Sequence, residues 1–119
     1  MNKEQASPAF VGVAAYLIHG DGTLDAVWTT SISSAERGLG TERLSGGVPG
    51  ELPGTYTLGT FDSQGRLILQ GTTTITQKGK AYALHWDGSD GSTYDGIGVC
   101  EGDNVLAASY WPSVPASGS

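Results

Sequence analysis

Turn-forming clusters break this chain at short intervals, and between them apolar and polar residues alternate with a period of two. "HGDG" (19–22), "GVPGELPG" (47–54), "DSQG" (62–65), "KGK" (78–80) and "GSDG" (88–91) all collect residues that turn a backbone. The runs they separate have strand length. Strands are therefore predicted over 9–18, 23–30, 41–46, 55–61, 66–77 and 81–87, with two more inside 92–111. Segment 66–77 reads either as one long strand or as a strand kinked at Gly71. Segment 31–40 reads as a loop or as a single helical turn. No stretch has helical periodicity. About eight strands joined by short turns predict an all-β fold, an antiparallel meander closing into a barrel. The length of 119 residues predicts one domain over 1–119, with 1–8 and 112–119 as flexible tails.

Several of these strands lack a properly polar face. Val11, Val13, Ala15 and Leu17 share one face of the first; Phe10, Gly12, Ala14 and Tyr16 share the other. In 93–100 the faces are Thr93, Asp95, Ile97 and Val99 against Tyr94, Gly96, Gly98 and Cys100. Each stretch runs through a Gly-Asp turn into a strand ending in Trp, "GDGTLDAVW" and "GDNVLAASYW". An internal repeat and two independent hairpins both fit this likeness. Small residues between aromatics let something bulky approach the sheet, whether a Trp of the same core, a ligand or another subunit. Strands apolar on both faces fit a barrel whose outside is also covered, which predicts a homodimer.

Composition narrows the partners. Leu, Ile, Val and Phe make up about a fifth of the chain, near the level of disordered sequences. The three Trp and five Tyr sit inside regular alternating runs, which favours a folded domain. The net charge of −6 and the lack of any Lys/Arg cluster argue against nucleic acid and against an anionic membrane surface. A single cysteine, Cys100, permits no intrachain disulfide. "MNKEQASPA" has no apolar core of a signal peptide, so a cytoplasmic location is expected.

No constellation for chemistry stands out. His85, Asp87, Asp90 and Asp95 gather in "HWDGSDGSTYD", but their spacing is not that of a calcium loop and fits a hairpin turn. His19 and His85 are the only histidines, too few for a metal centre without paired cysteines. Cys100 lies beside Glu101, and acidic surroundings do not activate a thiol. No catalytic residue, metal or cofactor is therefore expected. The aromatics remain. Trp28, Trp86 and Trp111 with Tyr82, Tyr94 and Tyr110 could form a core, an interface or the wall of a barrel pocket. If a ligand binds, Trp28, Tyr82, Trp86, Tyr94 and Trp111 are the candidates to hold it.

"GTYTL" (54–58), "GTTTI" (71–75), "YALHW" (82–86), "YDGIGV" (94–99) and "NVLAASY" (104–110), with "GVAAYLIHGDGTLDAVWTT" (12–30) and "GTERL" (40–44), cover most of the chain. Together they resemble a group of poorly characterised small bacterial β-barrel proteins with an avidin-like or lipocalin-like meander. In that group the piece like 12–44 follows the piece like 54–110, so this chain resembles a circular permutation. That order allows strands to be completed by a second chain, as an intertwined dimer. The group implies an architecture and no activity. The reading reached is a non-enzymatic barrel that binds a small apolar or aromatic ligand. The competing one is an interaction module that dimerises through an apolar outer face, and an enzyme ranks last.

Overall fold

The computed structural model describes residues 10–33 and 38–113. Eight strands follow one another: β1 Gly12–Ile18, β2 Leu24–Thr30, β3 Gly40–Ser45, β4 Gly54–Phe61, β5 Leu67–Lys78, β6 Ala81–Gly88, β7 Thr93–Glu101 and β8 Val105–Pro112. Each pairs antiparallel with the next, and β8 pairs with β1. The single chain thus closes the barrel and leaves no open sheet edge. The intertwined arrangement is not needed to complete any strand.

The turns follow from their residues. In three of them an Asp carboxylate accepts the backbone N–H two residues on: Asp21 from Thr23 at 3.0 Å, Asp62 from Gln64 at 2.9 Å, and Asp90 from Ser92 at 2.9 Å. The acidic stretch around Asp90 is therefore a hairpin turn, as its spacing predicts. Segment 31–40 is a loop at 31–33 and 38–39, Gly40 already opens β3, and residues 34–37 lie outside the described residues. β5 is continuous through Gly71, where a Cβ would sit 1.8 Å from the Asp87 carbonyl oxygen of β6. Gly71 thus marks a close approach of two backbones rather than a break in the strand. The irregularity lies nearby. Thr60 pairs with Leu69 and Phe61 with Leu67, so Ile68 is an extra residue bulged at the barrel rim. At the C-terminus, Pro112 ends β8 opposite Tyr94, and the N–H of Ser113 donates to the Thr93 carbonyl at 3.0 Å. Residues 112 and 113 of the tail expected over 112–119 thus belong to the barrel; the rest of it, and the tail expected over 1–8, lie outside the described residues, which exclude 1–9 and 114–119.

Alternation sorts the side chains, and it sorts them in an instructive direction. Gly12, Ala14 and Tyr16 of β1 point inward, while Val13 and Leu17 point out. In β7, Gly96 and Gly98 are buried and Ile97 and Val99 are exposed. The interior is filled instead by Leu24, Leu44, Leu58, Ile75, Leu84 and Leu106, with Tyr16, Tyr56 and Trp86. One end of the barrel is capped by the β3–β4 connection. There Gly47 and Gly50 donate to the carbonyls of Gly22 and Gly20, and Leu52 packs on the core. The Tyr56 hydroxyl donates to the Leu52 carbonyl at 2.5 Å, and Gly47 lies against the Tyr56 ring.

A cavity with a buried carboxyl at the open end

At the opposite end, a cavity of about 150 Å³ lies between Phe10, Tyr16, Trp28, Thr30, Glu42, Thr60, Ile68, Leu69, Trp86, Tyr94 and Tyr110. Its walls are aromatic because three strands offer glycine where a neighbour offers a ring. A Cβ at Gly12 would lie 2.2 Å from Cζ of Tyr110, and one at Gly40 would lie 2.2 Å from Cε2 of Trp28. At Gly96 it would meet Cζ3 of Trp86 at 2.9 Å. Each glycine is a seat that lets a large ring lie against the barrel wall. The space left by small residues in β1 and β7 is thus taken by rings of the same chain. The rings also touch each other. Trp86 and Tyr110 have centroids 5.6 Å apart, Tyr94 stands edge-on to Tyr110 at 6.4 Å, and Phe10 follows at 6.2 Å. The Trp28 indole N–H is held by the Thr41 carbonyl at 2.9 Å. The β5 bulge brings both Ile68 and Leu69 to the cavity.

Glu42 is the polar feature of this wall. It stands at an inward position of β3, between Gly40 and Leu44, and is 8% exposed. One carboxyl oxygen, Oε2, accepts a very short hydrogen bond from the Tyr16 hydroxyl and another from the Trp86 indole N–H at 3.2 Å. The other, Oε1, accepts from the Thr60 hydroxyl at 3.3 Å. Burial pushes the Glu42 carboxyl above the ordinary carboxylate range, and the three donors oppose that shift without cancelling it. The Tyr16 phenol is pushed well above its ordinary value, first by burial and then by the nearby Glu42 charge. It therefore stays a proton donor. Burial, aided by the Glu42 charge, also raises Tyr110.

Three of the five residues expected to hold a ligand meet here: Trp28, Trp86 and Tyr94. Tyr82 does not. It faces the other end, in a depression of about 710 Å³ with Tyr56, Cys100, Glu51 and Asp103, whose floor is Leu24, itself 1% exposed. Nor does Trp111, which lies on the outer face of β8 opposite Asp95 of β7. Parity explains Trp111, one residue from the inward Tyr110; Tyr82 shares the inward parity of Trp86 but lies four residues along β6, nearer the other end of the barrel. Tyr110, offered by the sequence as a core, interface or pocket aromatic, joins Trp28, Trp86 and Tyr94, while Phe10, Tyr16, Glu42 and Thr60 line the wall without having been singled out as ligand candidates. A signal for Glu42 exists in the sequence: in "GTERLS" it shares a face with Gly40 and Leu44, the wrong face for a solvated acid.

The remaining polar clusters are on the outside. His85 Nδ1 lies 2.7 Å from Asp95 and its Nε2 lies 3.2 Å from Asp87, and Ser113 donates to Asp95 at 2.7 Å. Hydrogen bonding to Asp95, opposed by some desolvation and helped by Asp87, raises the His85 imidazole above its ordinary value. His19 and Arg43 both contact Asp25, at 2.8 and 2.7 Å.

No family model, no curated protein and no solved structure matches this chain. No likeness to avidin-like or lipocalin-like proteins is shown; the structure shows an eight-stranded antiparallel barrel.

Proposed function

We propose that the protein is a non-enzymatic barrel that holds a small apolar or aromatic ligand in the open-end cavity. The supporting observation is the cavity of about 150 Å³ walled by Phe10, Trp28, Trp86, Tyr94 and Tyr110, with a polar group at its floor. Apolar walls with a few placed polar groups are the general form of small-molecule sites. An apolar cavity of about this volume accommodates a benzene-sized molecule. The three tryptophans supply an internal control. Benzyl alcohol added to ¹⁵N-labelled protein is expected to shift the indole N–H signals of Trp28 and Trp86 and to leave that of Trp111 in place. Equal shifts at all three would overturn the reading, as would the absence of any shift with both benzyl alcohol and its charged counterpart benzylammonium.

A second reading is supported by the outer surface of β1, β2, β7 and β8. Val13, Leu17, Val27, Ile97 and Val99 are each between 44% and 56% exposed there. Val13, Val27, Ile97 and Val99 flank a shallow groove floored by Ala15 and Ala107, with no charged side chain among the described residues that line it. The far side of the barrel instead carries Arg43, Gln70, His85 and Asp87. A one-sided apolar face fits a protein contact better than a lipid belt, which must encircle a barrel. A second copy meeting this face about a two-fold axis would form a homodimer. Sedimentation equilibrium tests it: a dimer is expected for the native chain and a monomer for Val13→Lys/Ile97→Lys. A monomeric native chain at high concentration refutes it.

A further inference from the structure

Among the described residues, the lining of the open-end cavity contains one carboxyl group and no Lys, Arg or His. Among the described residues, the hydrogen-bond donors to Glu42 are all neutral: the Tyr16 hydroxyl, the Trp86 indole and the Thr60 hydroxyl. A buried carboxylate without a cationic partner is costly, and hydrogen bonds from neutral groups offset only part of that cost. A carboxylate has about four lone-pair sites, and three are used here. The unused one is on Oε1, which accepts from Thr60 alone. Around this acid stand Trp28, Trp86, Tyr94 and Tyr110, whose ring faces attract positive charge. The net charge of −6 also draws cations towards the molecule.

The geometry points to a small protonated amine as the ligand, its N–H⁺ group bonded to the Glu42 carboxylate and its apolar body packed among Trp28, Trp86, Tyr94 and Tyr110. This rests on the ligand-binding reading above and narrows its chemical class. An anion would meet the Glu42 charge. A neutral hydrocarbon would fill the space and leave the carboxyl without a counter-ion. An amine satisfies the acid, the rings and the volume together.

Benzylammonium and benzyl alcohol test this, because they differ in charge and hardly in shape. Both are titrated into the intact protein at neutral pH and followed by the Trp28 and Trp86 indole N–H signals. Benzylammonium is expected to bind at least tenfold more tightly. Glu42→Gln is the matched variant: its amide oxygen can accept from Tyr16 and Trp86, and its NH₂ can donate to the Thr60 hydroxyl. In that variant the tenfold preference is expected to vanish, chiefly through weaker amine binding. Equal affinity of the native protein for both probes overturns the amine assignment and leaves the cavity reading standing. Failure of both probes to bind overturns the cavity reading itself. A preference that survives Glu42→Gln places the cation elsewhere and also overturns the assignment. Should Glu42→Gln not fold, the comparison of the two probes on the native chain still decides between these outcomes.

Discussion

In the half of the barrel under the β3–β4 connection, Leu24, Leu44 and Leu106 are at most 1% exposed, and Leu52 is laid over them. In the other half Trp28, Tyr94 and Tyr110 remain half-buried around free space. The same strands build both halves. Branched aliphatic side chains interdigitate from all sides and fill the section they occupy. Flat rings seated on glycines lie along the wall and leave the axis open. One half therefore contributes stability, and the other holds a cavity and a buried acid at some cost to it.

The largest expected effect tests this contrast directly. Leu44→Ala at the filled end is expected to cost about 2–5 kcal/mol in urea unfolding, because the hole cannot collapse. Leu69→Ala, bordering the existing cavity, is expected to cost only about 1–2 kcal/mol. Equal losses would mean that the two ends are packed alike. Next comes Gly12→Ala, which puts a methyl group onto the Tyr110 ring. About 1–3 kcal/mol of destabilisation is expected, together with a changed near-ultraviolet circular dichroism as the ring moves. An unchanged spectrum would show that the seat is not needed.

Glu42→Gln is expected to raise thermal stability at neutral pH by a smaller amount, and its sign follows from linkage. The folded Glu42 binds its proton more tightly than the unfolded chain does. Its contribution is therefore fully present below the unfolded Glu range and is lost as pH rises through the raised folded value. The native protein should lose stability over that window, and the variant should be flatter there. A variant with an unchanged pH profile would mean that the acid is not destabilising. The smallest effect belongs to the outer surface. His85 is raised by Asp95, so this pair stabilises below the ordinary His range and fades as pH rises through the folded value. Asp95→Asn should remove that slope and lower the His85 midpoint seen by NMR titration. The side chains are 42% and 44% exposed, so the change in stability should stay below about 1 kcal/mol.

Much of the barrel was legible from local chemistry. Asp-based turns and period-two runs mark every strand, and the structure moves most of their ends by only a residue or so, the exception being β1, which begins at Gly12 rather than residue 9. Less of the cavity was legible. Trp28, Trp86 and Tyr94 were singled out with Tyr82 and Trp111, because aromatic identity says nothing about which end of a barrel a ring occupies. Glu42 passed unnoticed for a related reason: a charged residue in a short strand reads as solvated until its parity is tied to Leu44.

The sequence by itself determined the eight strands, their antiparallel order and the pairing of faces, since turn chemistry and alternation are local. Closure within a single chain, rather than by strand exchange, was decided by tertiary structure, because the β8–β1 pairing joins residues nearly a hundred positions apart. So was the direction of the faces. Val13 of β1 and Ile97 and Val99 of β7 would ordinarily be assigned to the core, yet they lie outside. Only the approach of Tyr110 to Gly12 and of Trp86 to Gly96 makes the glycine face the interior one. The same closure brings the carboxyl of Glu42 to Tyr16 and Trp86 from three different strands, a meeting that no local pattern encodes.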